Sequence, residues 1–86
     1  MKLDNRIREL IAIGASITAN CQPCLQYHVS EAQGSGADEQ EIREAIEVGK
    51  IVRRGAASKM DKFSSDLNPA VRSAAGAADK ECGCTS

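Results

Sequence analysis

Two cysteines, a proline and the chain's only histidine fall within the ten residues ANCQPCLQYH, positions 19–28. Cys21 and Cys24 are three apart, and His28 follows Cys24 by four. If a helix begins near Pro23, Cys24 lies in its first turn, where unpaired backbone N–H groups and the helix dipole favour a thiolate. Cys21, at or just before the helix start, is close enough for a disulfide. His28 is then one turn along the same face as Cys24 and can take or return a proton. This pattern suits a dithiol centre in which one sulfur attacks, the other resolves and the imidazole moves protons. It also suits a metal site: Cys21, Cys24 and His28 supply three ligands, and Cys82 or Cys84 a fourth. The helical surroundings argue against a structural zinc ribbon.

The elements that must position these groups are helices. From Asp4 to about Asn20, apolar residues recur in steps of three and four at Leu3, Ile7, Leu10, Ile11, Gly14 and Ile17, one stripe of a helix (helix A, about 4–19). Ile13 and Ala15 lie off that stripe and widen the apolar surface. Pro23 fits the first turn of a helix and not its interior. Helix B is therefore expected over about 22–33, with Gly34 as the left-handed residue that ends it. Asp38 and Glu41 form a capping box for helix C, about 38–66. Its stripe runs through Ile42, Ala45, Ile46, Gly49, Val52, Ala56, Met60 and Phe63, with Val48 and Ile51 as a second apolar edge. Gly49 and Gly55 each cost about 1 kcal/mol relative to alanine inside a helix, which points either to close packing of another helix or to a bend. Asn68-Pro69 closes the helix. The fold class is all-α: a helical domain over 1–67, then an Ala/Gly-rich, weakly ordered tail over 68–86 that ends in Cys82-Gly83-Cys84.

The chain has 86 residues, and only 2% of them are aromatic. A chain of this size buries roughly 60–65% of its unfolded surface, and small aliphatic residues contribute little area each. Partner subunits are expected to complete the core. The net charge is −1, from 11 basic and 12 acidic residues that are well mixed. Nothing marks a nucleic-acid partner, and Arg53-Arg54 reads as a solvated helix face. No apolar run approaches the roughly 18 residues of a membrane span, and the N-terminus lacks the apolar segment of a signal peptide. A cytoplasmic location is expected, where thiols stay mostly reduced and four cysteines suggest redox or metal chemistry.

The pattern Glu9 … Cys21-Gln22-Pro23-Cys24-Leu25-Gln26-Tyr27-His28 resembles the alkyl hydroperoxidase D (AhpD)-like branch of the carboxymuconolactone decarboxylase family. There a glutamate precedes the first cysteine by twelve residues, the cysteines are three apart and a histidine follows the second by four. The segment GADEQEIREAIEVGKIVRRGAA also looks like the helix after that motif, so the likeness covers residues 3 to about 66. The decarboxylase branch lacks the cysteine pair. AhpD itself has a histidine just before the second cysteine, where this chain has Pro23; short members with the proline resemble general thiol–disulfide oxidoreductases.

The resemblance implies an all-helical subunit that assembles as a homo-trimer or hexamer. It implies a disulfide reductase or peroxidase-type enzyme in which Cys24 attacks a peroxide or disulfide and Cys21 resolves. The helix-start argument favours Cys24 only if helix B begins at residue 22 or later, because a start at Asn20 would put Cys21 in the first turn as well. Glu9 would orient His28. With helix A ending near Thr18 and helix B starting near Gln22, Glu9 lies about 13–14 Å and His28 about 9 Å from the junction. A glutamate side chain plus one water spans that difference. An external dithiol restores the centre, and no cofactor is expected. The tail is outside the resemblance. Its r.m.s. reach is about 20–24 Å, so Cys82 and Cys84 could relay electrons to the Cys21–Cys24 disulfide. They could instead share a soft-metal or metalloid site with it, or be inert. The alternative to the enzyme is thus a metal- or metalloid-binding helical module.

Overall fold

A computed structural model describes residues 1–67, which form three helices and no strand: α1 (Asn5–Thr18), α2 (Gln22–Gly34) and α3 (Glu39–Ser65). The expected tail, with Asn68-Pro69, Cys82 and Cys84, lies outside the described residues.

Each helix starts on a side-chain cap. Asp4 Oδ1 accepts the Ile7 N–H at 2.9 Å and opens α1. At α3 the capping box closes reciprocally: Glu41 N–H donates to Asp38 Oδ1 at 2.8 Å, and Asp38 N–H donates to Glu41 Oε1 at 3.1 Å. The other carboxylate oxygen of Glu41 takes Arg6 of α1, tying the two helix starts together.

Both of the first two helices end in a Schellman motif. In α1 the left-handed residue is Asn20, at φ 56°; the Cys21 N–H reaches Ser16 O and the Asn20 N–H reaches Ile17 O. In α2 it is Gly36, at φ 95°, with Ala37 N–H on Ala32 O and Gly36 N–H on Gln33 O. The expected left-handed residue, Gly34, is instead the last residue of the helix. The helix runs one residue further than its apolar pattern suggests, and the second glycine of Gly34-Ser35-Gly36 makes the reversal.

The chain forms two compact units, Met1–Arg54 and one that begins at Gly55. The core of the first is small, as the composition requires: Ile13, Ala32, Ala37 and Ile42 are buried, surrounded by Leu10, Leu25, Val29, Ala45 and Ile46. Ile13, read from the sequence as lying off the main stripe, is its centre at 0% exposure, whereas Ile11 on the stripe is 56% exposed. The reason is that α1 meets both other helices. Glu9 touches α2 while Gly14 and Thr18 touch α3, so its buried surface spans two faces rather than one.

The α1–α3 contact is made by glycines. A Cβ on Gly49 would lie 2.6 Å from Gly14 O and 2.8 Å from the Ile17 Cβ, and Thr18 Oγ1 donates to Gly49 O at 3.2 Å. Close packing, rather than a bend, thus accounts for Gly49. Gly55 has nothing within 4 Å of a built Cβ. The two positions should respond oppositely to alanine. Gly49→Ala overpacks the contact and should lower unfolding stability by about 1–2 kcal/mol net. Gly55→Ala should raise it by about 0.5–1 kcal/mol through helix propensity. Thermal unfolding of the two variants measures both.

Beside that contact an open apolar groove of about 440 Å³ runs between α1 and α3, lined by Ile7, Leu10, Ile11, Ala45, Val48 and Val52 among others. Ile11, Val48 and Val52 are more than half exposed there. In the second unit the described residues continue α3 to Ser65, with Met60 and Phe63 exposed. No helix among the described residues is long and apolar enough to cross a membrane.

Candidate dithiol site

The α1–α2 junction is short because one residue serves both helices. Cys21 is the residue after the left-handed Asn20 in the Schellman motif of α1, and it is also the N-cap of α2. Its sulfur takes the place usually held by a serine or aspartate oxygen, accepting the Cys24 N–H at 3.3 Å. Pro23 lies in the first turn, where no backbone donor is missed. Helix α2 begins at Gln22, so Cys24 is in the first turn and Cys21 precedes it.

Cys21 and Cys24 are joined as a disulfide, with their Cα atoms 5.3 Å apart. The two sulfurs are not equivalent in access: Cys24 is exposed, whereas Cys21 is half-buried at the junction.

One turn after Cys24 on α2, His28 Nδ1 lies 2.6 Å from Glu9 Oε1 of α1. The pair is mostly withdrawn from solvent, the side chains being 28% and 19% exposed. The distance expected to need a bridging water is closed by the two side chains directly. An ionised carboxylate only accepts, so in this contact Nδ1 is the donor. Tyr27 meets the imidazole edge-on, with ring centroids 5.0 Å apart.

The four residues singled out in the sequence, Glu9, Cys21, Cys24 and His28, therefore form two contacting pairs on adjoining stretches of α1 and α2. Among the described residues no three His, Cys, Asp or Glu side chains are grouped to hold a metal ion. Cys21, Cys24 and His28 thus do not make up such a set, and the proposed extra ligands Cys82 and Cys84 lie outside the described residues. Arg53-Arg54 reads from the sequence as a solvated helix face, but the two residues differ. Only Arg54 is exposed; Arg53 is half-buried and donates through Nη1 to Asn20 Oδ1 at 2.9 Å and to Ile17 O at 3.3 Å. Nothing local in the sequence signals this, since its partners are 33 and 36 residues away.

The site thus defines a small all-α protein with a Cys-X-X-Cys disulfide one helical turn ahead of a half-buried Glu–His pair. The profile of the carboxymuconolactone decarboxylase family matches residues 1–63. The chain is a member of that family, as its motif spacing suggested. It is also 40% identical over 55 residues to "Uncharacterized protein 4 in cox locus" of Paracoccus denitrificans, a stretch covering 64% of this chain and 50% of that protein. The chain thus spans about half the length of the curated relative it matches. No solved structure matches it.

Proposed function

We propose that the chain is a thiol–disulfide oxidoreductase of the AhpD-like type, in which the Cys21–Cys24 pair cycles between dithiol and disulfide and reduces disulfides and hydroperoxides. The observation that carries this reading is the direct Glu9–His28 contact, one helical turn beyond an exposed disulfide sulfur. A structural disulfide needs no proton carrier beside it; a cycling one does.

The chemistry follows from the geometry. His28 Nε2 takes the proton of the Cys24 thiol, and the imidazolium is stabilised by the Glu9 carboxylate on Nδ1. The Cys24 thiolate attacks the distal oxygen of a hydroperoxide, the O–O bond breaks, and the alkoxide leaves as an alcohol with the His28 proton. Cys21 then attacks the Cys24 sulfenic acid, forming the S–S bond and releasing water. With a disulfide substrate the first attack gives a mixed disulfide, and Cys21 displaces the second thiol. An external dithiol returns two electrons and two protons to the pair. In this reading a trimer or hexamer of the chain covers the apolar groove between α1 and α3.

The test is a titration of the fully reduced chain with an organic hydroperoxide and, separately, with a small model disulfide. The expected product is one disulfide per chain, found by peptide mass spectrometry between Cys21 and Cys24, with turnover when excess dithiol is present. Thiols at both positions that stay reduced under either oxidant would end the proposal.

A further inference from the structure

The turn carrying Cys21 is held from a third element. Asn20 occupies the left-handed region, which asparagine tolerates better than other residues with a Cβ. The Arg53 guanidinium, reaching back from α3, grips both its side chain and the Ile17 carbonyl. A small cleft of about 170 Å³ opens beside this turn, with Cys21 and Arg53 on its walls. Ser16, Ile17, Asn20, Gln22 and Leu25 complete the lining, and none of them is charged. No carboxylate pairs with Arg53 among the described residues. Of the described titratable residues, Cys24 is bonded to Cys21, and His28, with Glu9 on its Nδ1, follows one turn beyond Cys24 on α2.

We propose that Arg53 is a positioning residue of the dithiol centre: with the α2 N-terminus it makes Cys21, not Cys24, the sulfur that carries the thiolate in the reduced chain. The inference rests on the dithiol cycle proposed above and adds a division of labour to it. In the disulfide form Cys21 Sγ is the N-cap acceptor of the Cys24 N–H and lines the same cleft as Arg53, whose guanidinium has no carboxylate partner among the described residues; reduction leaves both groups beside the Cys21 sulfur. The N-cap hydrogen bond and a nearby positive charge both favour the anion. Cys24 stays protonated until attack, when His28 takes its proton.

The consequence is in the leaving group. An external thiolate attacks the exposed Cys24 sulfur, the S–S bond breaks, and Cys21 departs as the stabilised thiolate; a thiol of lower pKa leaves faster. The second thiol of the external dithiol then attacks the mixed disulfide, and Cys24 leaves with a proton from His28. The external dithiol is oxidised by two electrons and the pair is reduced by two. In the opposite direction the resolving sulfur is already ionised when Cys24 forms its mixed disulfide.

The experiment follows alkylation of the reduced chain by iodoacetamide across pH, with each cysteine read separately by peptide mass spectrometry, and measures the thiol–disulfide equilibrium against glutathione. In the wild type the Cys21 profile should have its midpoint below that of Cys24. In Arg53→Met the Cys21 midpoint should move up. The equilibrium should then shift three- to tenfold toward the disulfide, about 15–30 mV more reducing at 29.6 mV per tenfold. Arg53→Lys, which keeps the charge, should stay within about twofold of wild type. Cys24 titrating first in the wild type overturns the proposal. So does an unchanged midpoint in Arg53→Met, or an Arg53→Lys that behaves like Arg53→Met, since the residue would then act by shape alone. If Arg53→Met does not fold, Arg53→Gln makes the same comparison, and the wild-type profiles decide without any variant. A chain whose pair never forms a disulfide refutes the dithiol cycle instead, whereas a cycling chain indifferent to Arg53 refutes only this inference.

Discussion

Cys24→Ser should lose turnover on both a hydroperoxide and a model disulfide, down to the uncatalysed rate, while Cys21→Ser should complete one attack and stall. A serine hydroxyl at position 24 cannot reach the thiolate's nucleophilicity near neutral pH, and Cys21 cannot replace Cys24 as the attacker because it is half-buried and capped into the junction. In Cys21→Ser the exposed Cys24 still meets the substrate, but no second sulfur closes the cycle. The expected products are therefore a Cys24 sulfenic acid from peroxide and a Cys24 mixed disulfide from the model substrate, one equivalent of each. Both variants are best made with Cys82 and Cys84 also replaced by serine, so that a tail thiol cannot stand in for the missing one. Intact-protein mass spectrometry distinguishes the outcomes. Turnover retained in Cys24→Ser, or an adduct trapped on Cys21, would move the attack to Cys21 and reverse the roles.

The asymmetry behind this prediction comes from backbone accounting. Two helices joined by two residues, Ala19 and Asn20, and a shared cap leave the junction few free donors. Cys21 N–H is used by Ser16 O to end α1, and Cys21 Sγ is used by the Cys24 N–H to begin α2. A residue with two structural duties is held in place, and the sulfur beyond it faces outward. The first turn of α2 thus separates a half-buried, doubly hydrogen-bonded cysteine from an exposed one.

Much of this was legible in the sequence, and the exceptions have a common cause. Helix positions followed from apolar spacing and from local capping chemistry, in which Asp38 and Glu41 need only each other. The spacing of Glu9, Cys21, Cys24 and His28 singled out side chains that the fold brings into two contacting pairs. What escaped depends on which surfaces of a helix are covered. Ile13 is off the stripe that a single buried face would make, yet it is the core because α1 is contacted from two sides. Gly34 and Gly36 both offer a left-handed residue, and the choice between them rests on where α2 stops, a matter of Ala37 reaching the core beside Ala32. Arg53 looks like its neighbour Arg54 until the α1–α2 turn is placed against it. Gly49 is the intermediate case: a glycine in a helix signals close approach or a bend, and only Gly14 on the opposite helix decides which.

The proton relay gives the second large effect. His28→Gln should lower kcat/KM by about 10²–10⁴-fold, the range for loss of a positioned acid–base group. Glu9→Gln should cost less, about 10–100-fold on the same scale, because the amide oxygen can still accept from Nδ1 but no longer offsets the charge of the imidazolium. The double variant discriminates between a relay and two separate contributions. In the proposed cycle Glu9 works only by orienting and stabilising His28, which it touches at 2.6 Å; once His28 is gone, nothing remains for it to act on. Glu9→Gln/His28→Gln should therefore be no worse than His28→Gln alone, the non-additivity of residues that act as a unit. Additive losses would show that the carboxylate serves the reaction by a route other than the imidazole. Intact helicity by circular dichroism is the control that matters, since Glu9 and His28 also join α1 to α2. A variant that has lost that junction would lose the Cys21 cap and fail for a reason unrelated to protons.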